Sequence, residues 1–136
     1  MQTEWSSDLS TGVEAIDAQH REFLRRIAQL RAAASQGQLH RASDMLEYLG
    51  QYASRHFSTE ERFMEASGYP GLADHRSAHL AFAAELGARK AEFTSTGSLA
   101  RLMLDLCDWL TAWVNDHVRQ VDKVMAEHLR LATPAP

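Results

Sequence analysis

Seven side chains in this sequence could share one piece of chemistry: His20, His56, Glu60, His75, His79, His117 and Asp122. Imidazole nitrogens and carboxylate oxygens are ligands for transition metals. His56/Glu60 and His75/His79 are i, i+4 pairs, which a helix places one turn apart on a single face. His117/Asp122 is an i, i+5 pair, turned by ~140° around an ideal helix. Asp122 is therefore expected to reach sideways to a second ion instead of closing a simple chelate with His117. A carboxylate has two oxygens and can bridge, whereas an imidazole that keeps its ring proton is a terminal ligand. The pattern points to a dinuclear site with Glu60 and Asp122 bridging and the five histidines as terminal ligands.

The elements that must position these groups are helices. Apolar residues recur at i, i+3, i+4 and i+7 in four stretches. The first carries Ile16, His20, Phe23, Ile27, Leu30 and Ala34; the second Ala42, Met45, Leu49, Tyr52, His56, Glu60 and Phe63. The third carries Leu72, His75, His79, Phe82, Leu86 and Phe93; the fourth Leu99, Met103, Leu106, Leu110, Trp113, His117, Val121 and Met125. Thr11 with Glu14 reads as a capping box, Gly37 and Ser67-Gly68 as helix stops, Pro70 as the approach to a new helix, and Thr94-Ser95-Thr96-Gly97 as a break. Short connections between long amphipathic helices imply antiparallel neighbours. The expected fold is all-α: an up-down-up-down four-helix bundle forming a single domain over residues 1–136. An arm over about 1–12, held by Trp5, precedes a bundle over about 13–130 and a disordered tail over about 131–136.

The seven polar residues continue the apolar stripes, and that is what needs explaining. A buried imidazole or carboxylate without a partner costs several kcal/mol. A shared metal centre satisfies all seven together. At 1.5 Å per residue, His20 lies ~9 Å into its helix, His75 and His79 ~6–12 Å into theirs, and His56 and Glu60 ~9–15 Å before the end of theirs. His117 and Asp122 lie roughly 12–19 Å before the end of the fourth. Antiparallel packing puts all of these in one layer near one end.

Composition removes other classes. The chain has 136 residues, 45% of them hydrophobic, and a net charge of −4, with no Lys/Arg block to favour nucleic acid. The polar N-terminus is not a signal peptide and no apolar run reaches membrane-spanning length. A cytoplasmic protein, monomeric and without membrane insertion, is expected. The single cysteine, Cys107, sits in an apolar helical pattern and reads as a small core residue. Met45, Met64, Met103 and Met125 read as core filling, His40 and His128 as surface or helix-end residues, and Glu61 as solvent-facing; Asp17 could support His20.

The pattern Trp5, Ile16-Asp17-Ala18-Gln19-His20, His56-Phe57 with Glu60-Glu61, Met64, Gly68-Tyr69-Pro70, His75, His79, Trp113, His117 and Asp122 resembles the bacterial hemerythrins, from Trp5 to about Leu129. The resemblance implies two iron ions with an oxo or hydroxo bridge. His75, His79 and His117 would bind one iron and His20 and His56 the other, with Glu60 and Asp122 bridging. The first iron is then full, and the second keeps an open position for dioxygen. Trp113, Val114 and Val118 match the positions that wall the O2 pocket. Val114 stands where a leucine is usual, which would admit water and hasten loss of O2 as peroxide. Ala28 replaces a frequent asparagine, with no consequence that can be derived. The implied function is reversible O2 binding for carriage, storage or delivery. The alternatives are an O2 or redox sensor, an enzyme reducing peroxide or nitric oxide, and occupancy by zinc, which prefers four ligands.

Overall fold

The chain forms α1 (Glu14–Ser35), α2 (Leu39–Ser67), α3 (Leu72–Glu92) and α4 (Leu99–His117), and a π-helical turn, Val118–Asp122, carries α4 without a break into α5 (Lys123–Ala132). The structure, a computed structural model, describes residues 4–93 and 99–132. The expected break at Thr94-Ser95-Thr96-Gly97 lies outside the described residues, as does the expected tail over about 131–136 from residue 133 on; Leu131 and Ala132 belong to α5 instead. Among the described residues there is no strand. Helix α1 packs against α2 and α4, and α2 against α3, giving the antiparallel four-rod bundle that the apolar stripes require.

The helix ends follow from local chemistry. Gly37 takes φ +74° and Gly68 φ +68°, a left-handed conformation that glycine adopts without steric cost. Beyond each glycine the chain folds back: the Gln38 amide donates to the Ala33 carbonyl and the Tyr69 amide to the Met64 carbonyl, both at 2.9 Å. The capping box expected at Thr11 does not form. The first helix begins beyond Val13 with no side-chain cap. Thr11 is used differently: its amide (2.9 Å) and hydroxyl (2.7 Å) both donate to Asp17 Oδ1, and the Ser10 hydroxyl donates to Asp17 Oδ2 at 3.2 Å. A carboxylate inside the first turn thus satisfies the incoming chain, and Asp17 does not support His20.

The arm is held as expected and by more than Trp5. Trp5 packs on the core, with the Arg21 guanidinium 5.0 Å above its ring. Leu9 is fully buried, the Arg119 guanidinium meets the Asp8 carboxylate at 2.7 Å, and the Lys123 ammonium donates to the Asp8 carbonyl. The arm is therefore tied to the π turn and to the first residue of α5.

Two apolar clusters fill the bundle. The larger runs through Phe23, Ile27, Leu49, Phe82, Leu106 and Leu110; the smaller holds Ile16, Met64, Met125 and Leu129. Cys107 lies in the larger, fully buried, and burial pushes its thiol up to about 11, in keeping with a core role. Several stripe positions lie less deep than expected: Met45, Tyr52, Leu72, Phe93, Leu99 and Trp113 are half-buried, and Phe63 and Val121 have a local cause. Phe63 is 37% exposed, because the inner row His56, Glu60 continues by fours to Met64. Val121 is only half-buried, because the π turn brings Val118 and Asp122 to the core instead.

Candidate metal centre

Between the two apolar clusters the bundle holds a layer of polar atoms. His20, His56, Glu60, His75, His79, His117 and Asp122 are all buried, the most exposed being His117 at 6%. Their ligand atoms fall into two groups, each with all members within 4.8 Å of one another. One is Glu60, His75, His79, His117 and Asp122; the other is His20, His56, Glu60 and Asp122. The two carboxylates belong to both.

Their oxygens divide the histidines cleanly. Glu60 Oε1 lies 3.2 Å from His79 Nε2 and 3.5 Å from His75 Nε2, and Asp122 Oδ1 lies 3.0 Å from His75 Nε2 and 3.1 Å from His117 Nε2. Glu60 Oε2 lies 3.2 Å from His56 Nε2 and 3.5 Å from His20 Nε2, and Asp122 Oδ2 lies 3.0 Å from His20 Nε2. Three histidines face one oxygen of each carboxylate, and two face the other.

The donor set fits a pair of metal ions. Both oxygens of Glu60 and of Asp122, and Nε2 of His20, His75, His79 and His117, are buried without a hydrogen-bond partner among the described residues. They are close but not aligned for hydrogen bonds with one another, as atoms aimed at points between them would be. Orphaned buried atoms on this scale cost several kcal/mol each unless something satisfies them.

The π turn explains how His117 and Asp122 come together. An α-helix closes its hydrogen bonds at i+4; a π turn closes them at i+5. The extra residue brings Asp122 back over His117, so that the i, i+5 pair faces the same way. The expected sideways reach of Asp122 is thus replaced by a local change of helical pitch. The two residues share the three-histidine group, and Asp122 turns its second oxygen to His20.

Two outer contacts fix imidazole orientation. His56 Nδ1 lies 2.6 Å from Gln19 Oε1 and His79 Nδ1 lies 2.9 Å from Glu61 Oε2. Both oxygens are acceptors, so the ring proton sits on Nδ1 and Nε2 is left bare toward the centre. The solvent-facing role expected for Glu61 is corrected: it joins His79 to Arg76, whose guanidinium reaches it at 2.9 Å. Its acid is held below the usual carboxylate range: burial pulls it up, but His79 and Arg76 outweigh that. Removing such outer partners costs about 10–100-fold in metal affinity. Glu61→Ala is expected to weaken iron binding within that range, read by competition with a chelator, and an unchanged affinity would refute its role. The remaining histidines stay outside: His40 is exposed, and His128 meets the Ser67 carbonyl at 3.2 Å.

A small cavity of about 10 Å³ lies against His20, His56 and His117. Its walls include the expected Trp113, Val114 and Val118, together with Phe23 and Phe57, which sequence reasoning missed. Phe23 lies on the His20 stripe and Phe57 follows His56, so adjacency to the histidines was the available signal. A volume of this size admits about one water-sized guest. Trp113 stacks on the His117 ring at 4.3 Å and Phe57 on His79 at 3.9 Å, so the same aromatics hold histidines and wall the cavity.

Burial acts on the metal-free cluster and the carboxylates answer it. For His20 and His75, burial is the largest single influence and lowers the imidazole, but Asp122 and Glu60 together lift each to about 9. Burial likewise raises Glu60 and Asp122, and the surrounding histidines hold both carboxylates below their ordinary range. At neutral pH, metal-free protein therefore carries imidazolium where metal charge would otherwise sit. Loading with Fe2+ at pH 7 is expected to release about two protons, and affinity is expected to rise with pH up to about 9. The stability of the metal-free form should run the other way. The raised histidines stabilise it fully below their ordinary 6.5 and lose this as pH climbs through about 9. The depressed carboxylates lose theirs as pH falls below about 4.5. Proton release followed at constant pH, with melting of the metal-free protein across pH, checks both signs; loading without proton release would contradict them.

A four-helix bundle enclosing a buried histidine–carboxylate cluster that could hold metal defines a helical metal-binding domain. The model of the hemerythrin HHE cation binding domain matches residues 11–129, and this chain belongs to the hemerythrin family. A bacteriohemerythrin of Pseudomonas aeruginosa is 30% identical over 127 residues, covering 93% of this chain and 80% of its own. One of Stenotrophomonas maltophilia is 27% identical over 126 residues, with the same coverages. A crystal structure of a hemerythrin leucine-to-tyrosine mutant aligns with a TM-score of 0.78 at 25% identity, covering 95% of this chain and 96% of that one. The family is known for binding dioxygen at a non-haem di-iron site. No helix among the described residues is long and apolar enough to cross a membrane.

Proposed function

We propose that this protein binds dioxygen reversibly at a pair of iron ions bridged by Glu60 and Asp122. The observation that carries the reading is the division of the four carboxylate oxygens, two toward His75, His79 and His117 and two toward His20 and His56. One ion would have five protein ligands and the other four, so with a shared oxo or hydroxo bridge one coordination position stays open on the His20/His56 side. The cavity touches both histidines of the His20/His56 group, and of the other three only His117, which supports the vacancy on the His20/His56 side. An iron pair supplies the two electrons that dioxygen can take up and give back.

The chain's own residues do the rest. Gln19 and Glu61 keep the proton of His56 and His79 on the outer nitrogen. Phe23, Phe57, Trp113, Val114 and Val118 give the guest an apolar wall that favours a small uncharged molecule over water. Five neutral imidazoles and two carboxylates make a less anionic shell than the glutamate-rich sites of ferritin-like oxidases. That composition favours binding over splitting of the O–O bond. The proposed role is that of a carrier, store or local supplier.

The test is a cycle. The iron-loaded protein is reduced without air, O2 is admitted, the visible spectrum is recorded and O2 is removed. A colour that appears and then vanishes with recovery of the ferrous protein is the expected result. Immediate irreversible oxidation would favour sensing or peroxide reduction, and no colour would end the oxygen reading. Val114 lines the cavity and is 2% exposed, so a leucine there adds a methylene to a space with room for about one small guest. Val114→Leu is expected to lengthen the half-life of the O2-induced absorption several-fold. An unchanged or shorter half-life would refute the exclusion of water as the controlling factor.

A further inference from the structure

An iron pair that loses its electrons must be reduced again from outside, and one face of the bundle is built to receive a donor. We propose that the α1–α2 surface over His56 docks an acidic one-electron carrier protein; the proposal rests on the di-iron reading above. A hollow of about 440 Å³ opens there, with Arg26, Arg55 and Arg62 on its walls and Gln19, Tyr52 and His56 among its lining residues. Arg55 and Arg62 are exposed, and among the described residues neither guanidinium has a carboxylate partner. Arg26 shares Glu22 with Arg25, at 3.0 and 2.6 Å. Three guanidiniums thus line the hollow and no carboxylate does, in a chain whose net charge is −4.

The same hollow meets the cluster through bonds. His56 is 2% exposed, and its Nδ1 proton is donated to Gln19 Oε1 at 2.6 Å. The Tyr52 hydroxyl donates to the Gln19 carbonyl at 3.1 Å, and the Arg26 guanidinium sits 4.6 Å over the Tyr52 ring. Electron tunnelling weakens steeply with distance and is helped by bonded contacts, and this network runs from Arg26 to a proposed iron ligand through two residues, Tyr52 and Gln19. The groove on the α2–α3 side reaches His79 instead, but its one lining cation, Lys90, is paired with Glu47 at 2.8 Å, and Glu61 also lines it, so it offers no excess positive charge to an acidic partner.

The spread of charge selects the partner. Arg55 and Arg62 are seven residues apart on one helix, ~10 Å along its axis, and Arg26 comes from the neighbouring helix. That spacing is too wide to close on one phosphate and suits carboxylates dispersed over a protein surface. Complementary charge of this kind raises encounter rates and fixes orientation. Each encounter moves one electron from the carrier to one ferric ion, which becomes ferrous, and the carrier leaves oxidised. Two encounters restore the pair, and one proton from solvent converts an oxo bridge to hydroxo.

The test uses a plant-type [2Fe–2S] ferredoxin as the acidic probe and the nitrogen-15-labelled, iron-loaded protein, with amide shifts read during titration. Shifts should cluster around Arg26, Arg55 and Arg62, and binding should weaken at least about tenfold from low to physiological salt. Arg55→Glu with Arg62→Glu should weaken binding at least about tenfold, and should slow reduction of the ferric protein by reduced ferredoxin by a similar factor. Arg41→Glu with Arg101→Glu changes the net charge equally but at the far end of the bundle, and should leave both near the parent values. Equal losses in the two double variants, shifts that map elsewhere, or phosphate binding at this face with no ferredoxin binding would each overturn the proposal. Docking is also read on metal-free protein, so an iron count short of two would sink the di-iron reading while leaving the docking result to stand or fall separately.

Discussion

Asp122→Ala is expected to lower the iron content from the proposed two ions per chain to one or none. Asp122 is 1% exposed and turns Oδ1 toward His75 and His117 and Oδ2 toward His20. Removing it takes one oxygen from each half of the cluster, and among the described residues Glu60 is the one other carboxylate in the two groups. The metal-free protein should suffer too, because His20 and His75 would be left as buried imidazolium groups beside Glu60 alone. Breaking a buried ion pair in this way costs about 3–5 kcal/mol. Asp122→Asn keeps the shape and removes the charge, so it separates the two effects: it should melt closer to the parent yet still bind iron poorly. Iron analysis alongside melting temperature reads both variants. Two irons retained in either variant would remove Asp122 from the bridge.

The second large effect concerns the π turn. One extra alanine inserted between Arg119 and Gln120 is expected to abolish iron binding and destabilise the fold. An inserted residue turns everything after it by ~100° in an α-helical register. Asp122 would leave the cluster, and Met125, Ala126 and Leu129, now buried, would swing toward solvent. Exposing large apolar side chains costs roughly 1.5–3 kcal/mol each. Deleting Gln120 should do the opposite. The π turn would relax to an α-helical one with the histidine and aspartate at i, i+4, still on one face, and α5 would keep its phase. Iron content near two and an undiminished melting temperature are expected for the deletion. If deletion and insertion are equally harmful, the pitch argument fails.

That contrast also marks where sequence reasoning stops. The stripes through Ile16, Phe23 and Ile27, and through Leu106 and Leu110, declared buried faces because periodicity is local, and the structure buries them all. Gly37 and Gly68 ended their helices for a similarly local reason. The seven clustered residues could be picked out because polar groups on an apolar stripe violate the pattern unless they share a partner. The π turn was not legible, because nothing local in His117-Val118-Arg119-Gln120-Val121-Asp122 forces a wider pitch. What accompanies it is non-local: Asp8, more than a hundred residues earlier, holds Arg119 and Lys123. Glu61 was misread for the same reason. Its own helix turns it off the inner face, and only the arrival of His79 and Arg76 from α3 gives it a function. Thr11 offered a capping pattern, but its amide, which Glu14 would have accepted in a capping box, donates to Asp17 instead.

The most direct test of the central claim is metal stoichiometry at saturation. Protein freed of metal, loaded with Fe2+ without air and stripped of loosely held ions should retain two irons per chain. A single iron, or retention unchanged when Glu60 or Asp122 is replaced by alanine, would contradict a bridged pair.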